Sequence, residues 1–107
     1  MANDFKNGLA KDVGTSPVTL YTTPSLKQSI VIECDLANTT SATVTADVFI
    51  SSGGVDHFIV KNAPIPTGGT LQVISNQKVV LDGNQVLKVQ GKTASSIDAI
   101  ASILEDV

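Results

Sequence analysis

Few side chains in this sequence of 107 residues have the type and spacing to do chemistry. His57 is the sole histidine and follows Asp56, which raises the question of an acid–base dyad. Adjacent strand residues point to opposite faces, so the two are badly placed to share a proton, and His57 reads as a part-exposed hairpin residue. A zinc site needs several His or Cys ligands, and beyond His57 only Cys34 exists. Cys34 keeps step with Ile32 and Leu36 and reads as a small core hydrophobe; a nucleophilic role would require a base or a helix N-terminus beside it. Glu33, Asp35 and Asp47 would share one outer face if segments 28–37 and 42–51 paired. Such a cluster suits a Ca²⁺ ion or glycosidase-like carboxylates, and a solvated acidic face is the plainer reading. Gly53-Gly54 and Gly68-Gly69 lack the lysine and helix of a phosphate-cradling loop and are turn glycines. The expectation is therefore a chain without catalytic, cofactor-binding or metal-binding residues, and not an enzyme.

The elements that carry these residues read as strands. Val, Ile and Thr, at 13, 9 and 11 copies, make about a third of the chain β-branched, which suits a pleated, half-buried surface. Segment 28–37 alternates cleanly, with Ile30, Ile32, Cys34 and Leu36 expected inward and Val31, Glu33 and Asp35 outward. Segment 42–51 repeats the pattern, with Val44, Ala46, Val48 and Ile50 inward and Thr43, Thr45 and Asp47 outward. Shorter strands are expected at 18–23, 55–61, 70–74, 77–81 and 85–90, separated by Pro24, Gly53-Gly54, the corner Pro64-Ile65-Pro66-Thr67-Gly68-Gly69, Ser75-Asn76 and Asp82-Gly83. The tail 95–107 fits a helix with Ile97, Ile100, Ala101 and Leu104 on one face, or a strand with Ile97, Ala99, Ala101 and Ile103 on one face. Turn signals spaced roughly every 8–12 residues imply an all-β, antiparallel β-sandwich, Ig-like or jelly-roll-like, of about seven to eight short strands over residues 17–107. Residues 1–16 lack period-2 alternation and read as an irregular N-terminal arm. Within it Phe5, Leu9 and Val13 recur every fourth residue, with Gly8 between them, and are candidate apolar anchors for a neighbouring subunit.

Composition limits the function. Hydrophobic residues are 42% of the chain but aromatics only 4%, with no Trp, so the core must be thin and aliphatic. Net charge is −3, and all seven basic residues are lysine, which disfavours a nucleic-acid partner that wants cationic patches and bidentate arginine. No apolar run approaches a membrane span, and Met1-Ala2-Asn3-Asp4 does not read as a signal peptide. One cysteine excludes an intrachain disulfide framework, and the chain reads as made and kept in cytosol.

The stretch LANTTSATVTADVFISSGGVDHFIVKNAPIPTGGTLQVISNQKVVL, from Leu36 to Leu81, resembles a family of small tailed-bacteriophage virion proteins. The resemblance rests on Leu36-Ala37-Asn38, the Gly53-Gly54 hairpin, Val60-Lys61-Asn62-Ala63-Pro64-Ile65-Pro66, Gly68-Gly69 and Lys78-Val79-Val80-Leu81. It covers roughly residues 18–105 and leaves the first 16 uncovered. It implies a β-sandwich virion protein assembled in the bacterial host cytoplasm, and favours a strand at 95–107. The preferred reading is a capsid decoration (cement) protein reinforcing contacts between shell subunits. A neck, tail or baseplate component, or a fibre-associated carbohydrate-binding module, is the alternative. Expected partners are the major capsid or other virion proteins, with a homo-oligomer on the particle and neither nucleic acid nor membrane. The run Pro64, Ile65 and Pro66 removes two N–H donors and reads as a strand crossing between sheets, or as an exposed ledge for a partner.

Overall fold

The computed structural model describes residues 3–75 and 77–106; residues 1, 2 and 107 of the expected arm and tail, and Asn76 of the expected Ser75-Asn76 break, lie outside them. The described residues form nine strands and no helix: β1 (Asn3–Val13), β2 (Val18–Thr22), β3 (Gln28–Asn38), β4 (Val44–Ser52), β5 (Val55–Ile65), β6 (Thr70–Ile74), β7 (Val79–Leu81), β8 (Val86–Gly91) and β9 (Ile97–Asp106). One sheet runs β1-β9-β3-β6, with β7 also paired to β3; the other runs β2-β8-β4-β5. Every pairing is antiparallel. The two sheets enclose an aliphatic core that includes Val31, Leu36, Val48, Ile65, Leu81, Leu87, Val89, Ile97 and Ile103, all fully buried. The all-β sandwich expected from the turn spacing is what forms, and the ambiguous tail is the strand β9.

The irregular N-terminal arm is not found: β1 is an eleven-residue strand hydrogen-bonded along β9. Its alternation escapes a hydropathy reading because the inward positions are small. Gly8 and Ala10 face inward opposite Ala101 and Ala99, while Phe5 and Leu9 point out. A Cβ on Gly8 would stand 2.3 Å from the Leu20 carbonyl oxygen, so this glycine lets β2 pass directly against β1. A four-residue spacing keeps Phe5 and Leu9 on one face of a strand just as it would on a helix. Val13 breaks step because a register shift follows Ala10, and it turns into the core at 1% exposure. Asp12 carries the bend with a positive φ of 56°, and its N–H donates to Asp98 Oδ1 at 3.0 Å.

A second bulge corrects the face assignment of β3. Its register against β9 shifts between Val31 and Glu33, leaving Ile32 as the extra residue. Cys34 and Leu36 point inward as expected; before the bulge Ser29 and Val31 are buried, and Ile30 and Ile32 are only half-buried. In β4, Val44, Ala46 and Val48 are buried as expected, but so are Asp47 and Phe49 on the opposite face.

The residues of the quoted stretch meet in space. Asn38, buried at the end of β3, donates from Nδ2 to the carbonyls of Ala42 (2.8 Å) and Ile65 (2.9 Å), and its Oδ1 accepts from the Thr40 N–H and hydroxyl. The Asn of Leu36-Ala37-Asn38 thus holds the Ile65 backbone of the Pro-rich run. Replacing it strands a buried carbonyl, so Asn38→Ala is expected to cost about 1–3 kcal/mol in urea denaturation. The chain then crosses between sheets through 66–69, where the Gly69 N–H donates to the Pro66 carbonyl at 2.9 Å. The crossing therefore follows Ile65, which is fully buried opposite Val44, while Pro64 and Pro66 are exposed on an edge.

Candidate docking face

The outer surface of the β1-β9-β3-β6 sheet carries the most unusual chemistry of the molecule. Register sets Phe5 opposite Leu104, Leu104 opposite Ile30 and Ile30 opposite Val80, so one apolar row crosses four strands. A second row sets Leu9 beside Ile100, and Ile100 beside Asp35. Phe5, Leu9, Ile100 and Val80 are 79, 66, 53 and 57% exposed, a concentration of apolar surface on one sheet face. Between the rows lies the polar line Asn7, Ser102 and Glu33. A shallow depression beside Leu9 is lined by Ala10, Lys11, Asp98, Ala99 and Ile100. The backbone beneath is a hydrogen-bonded sheet, so the face is presented rigidly.

Glu33 and Asp35 are two apart on β3 and share this face. The Glu33 carboxyl is held above its ordinary value by its hydrogen bond to Asp35 and by the Asp35 charge, with a little desolvation. Asp35 Oδ1 is buried and has no hydrogen-bond partner among the described residues. Asp47 does not join them, because β3 and β4 belong to different sheets. It is buried on the other outer face, where its carboxylate accepts from the Asn62 N–H at 2.7 Å and pairs with Lys92 at 3.2 Å. Among the described residues no group of three or more His, Cys, Asp or Glu is placed to hold a metal ion.

Of the residues read as partner contacts, Phe5, Leu9, Pro64 and Pro66 are exposed, whereas Val13 and Ile65 belong to the core and are corrected accordingly. Phe5 and Leu9 come together on one face, and Pro64 and Pro66 lie in the other sheet's edge and its exit turn. Ile100, Leu104 and Val80 are not singled out as contacts by the sequence, because apolar residues on both faces of a strand read simply as hydrophobic. Ile30, expected inward, lies on this outer face because the β3 bulge reverses the alternation before it. His57 and Asp56 sit exposed near the β4–β5 hairpin tip, opposite Ile50 and Ser51.

One hydrogen-bond cluster ties the sheets together. Tyr21 of β2 hydrogen-bonds through its hydroxyl to Glu105 of β9 and, at 2.8 Å, to Ser29 of β3. Burial, followed by the Glu105 hydrogen bond, raises the Tyr21 pKa. Cys34 is inert by the same physics: burial first, then the Asp35 charge, push its thiol up to about 12. Both groups bind their protons more tightly folded than unfolded. Their stabilisation is therefore whole below the unfolded thiol value, about 8.5, and is lost as pH rises towards 12. The thermal midpoint is expected to fall across that window, less steeply in Cys34→Ala, and native protein should resist thiol alkylation until urea unfolds it.

No family model and no curated protein matches this chain. Solved structures of similar fold include two from protein assemblies. A chain from the disulfide-linked pili of Bacillus endospore appendages superposes with a TM-score of 0.58 at 13% identity, over 97% of this chain and 85% of that one. A chain from the acidic stable capsid of Helicobacter pylori bacteriophage KHP30 gives 0.57 at 12% identity, over 100% of this chain and 89% of that one. The likeness is one of fold: both neighbours come from extended protein assemblies, and one of these is a phage capsid.

Proposed function

We propose that this chain is a non-catalytic structural subunit of a bacteriophage particle, and specifically a capsid decoration (cement) protein. The observation that carries the reading is the rigid apolar face built by Phe5, Leu9, Ile100 and Val80, a surface made for another protein. The fold shared with a chain of the KHP30 capsid, and the stretch from Leu36 to Leu81 that resembles small virion proteins, support the phage context. A cement protein works by binding across subunit boundaries that would otherwise part. Each copy need contribute only about a few kcal/mol, because many act on one particle. Exposed aromatics are sparse for a sugar platform: Phe5 and Phe58 lie on opposite sheets, and Phe49 is buried.

Counting copies on purified particles by quantitative mass spectrometry tests the reading. Copies in the hundreds, with particles lacking the protein rupturing at lower temperature, are expected. About six or twelve copies, the numbers of a ring, would move it to the neck, tail or baseplate. Absence from particles would reject it.

A further inference from the structure

The two outer faces of the sandwich carry complementary chemistry. On the first, Lys11 pairs with Asp98 at 3.8 Å, Glu33 and Asp35 stand beside the apolar rows at its centre, and the exposed Lys78 lies at its margin just before β7. On the second, Lys92 is taken up by Asp47, which leaves Lys61 and Lys88, with Asp56 further out towards the hairpin tip. Their centre is also apolar. Phe58, 45% exposed, packs on Phe49 with ring centroids 5.0 Å apart, and Lys61 Nζ sits 4.2 Å above the Phe58 ring. Lys88 lies beside Phe49 in register, so two ammonium groups flank one aromatic edge.

We infer that the acidic apolar face of one copy docks on the lysine-flanked Phe58 face of the next copy. The occupant is argued from charge. Stacking the first face on itself would bring Glu33 and Asp35 against their own kind, and stacking the second would oppose Lys61 and Lys88, each a like-charge clash. Only the unlike pairing sets ammonium groups over carboxylates and Phe58 near the Phe5 and Leu9 rows. Because the two surfaces differ, the contact is head-to-tail: each copy offers one free face of each kind, and association continues past a dimer into a ring or a row. The inference rests on the reading of the chain as an assembly subunit, and names its neighbour.

The test is sedimentation velocity of the full chain at low ionic strength, with circular dichroism to confirm each variant's fold. Wild-type protein is expected to form species beyond a dimer as concentration rises, and to dissociate with added salt. Glu33→Lys with Asp35→Lys makes both faces positive, and Lys61→Glu with Lys88→Glu makes both negative. Each double variant should be monomeric alone, and an equimolar mixture of the two should associate again. A wild-type chain that stays monomeric, a closed dimer, association unaffected by the charge reversals, or a mixture that fails to recover would overturn the inference. A chain monomeric in solution yet present in hundreds of copies on particles would sink this contact while leaving the proposed function standing. A chain that self-associates as expected but is absent from particles would do the reverse.

Discussion

Deleting residues 3–13 is expected to abolish cooperative folding rather than trim a loose tail. The segment pairs with β9 from Asn3 to Val13, and β9 is the central strand that also holds β3. Its removal would strip one ladder from β9, expose Ala99 and Ala101, and empty the site of Val13, which is 1% exposed. An open apolar edge of that length invites association with other chains. The stability of a domain this size is only about 5–15 kcal/mol, and one strand of a sandwich is enough to exhaust it. The truncated chain should show no cooperative thermal transition and should aggregate. A milder variant separates the steric argument from the loss of a strand. Gly8→Val drives a side chain into the Leu20 backbone and should cost about 1–3 kcal/mol or more, with the sheet otherwise intact. If the truncated chain melts at the wild-type temperature, β1 is dispensable and the arm reading returns.

The second large effect concerns the bulge in β3. Leu36→Ala removes a fully buried side chain and should cost about 2–5 kcal/mol. Ile32→Ala, which strict alternation would rank with it, should cost clearly less, because Ile32 is the extra residue of the bulge and only half-buried. Val31→Ala should exceed Ile32→Ala although it deletes fewer atoms. Urea midpoints for the three variants give the order directly. An Ile32→Ala cost equal to that of Leu36→Ala would show that β3 has no bulge.

The sequence made most of the sandwich legible and misled in identifiable places. Alternation in β3 and β4 and the turns at Gly53-Gly54 and Asp82-Gly83 placed the strands because hydropathy and sterics agree there. β1 was hidden because its inward positions are Gly8 and Ala10, which carry no hydropathy signal even though they face the core. Val13 and Ile32 depart from their expected faces for one reason: a bulge inserts a residue and reverses every face beyond it, and nothing local marks where it falls. The prolines on either side of Ile65 suggest a ledge or a crossing, whereas its own side chain is fully buried. Half of the docking face was visible, since Phe5 and Leu9 share a face under either periodicity. Ile100 and Val80 joined them only once pairing set β9 and β7 beside the rest.

Occupancy of a Phe5→Ser, Leu9→Ser double variant on purified particles tests the central claim most directly. Both side chains are largely exposed, so the variant should fold and melt like wild type while removing the two most exposed apolar side chains of the face. The account predicts copies per particle falling severalfold, with particles losing heat resistance in proportion. Wild-type occupancy by a folded double variant would contradict it, because the face would then hold nothing on the particle.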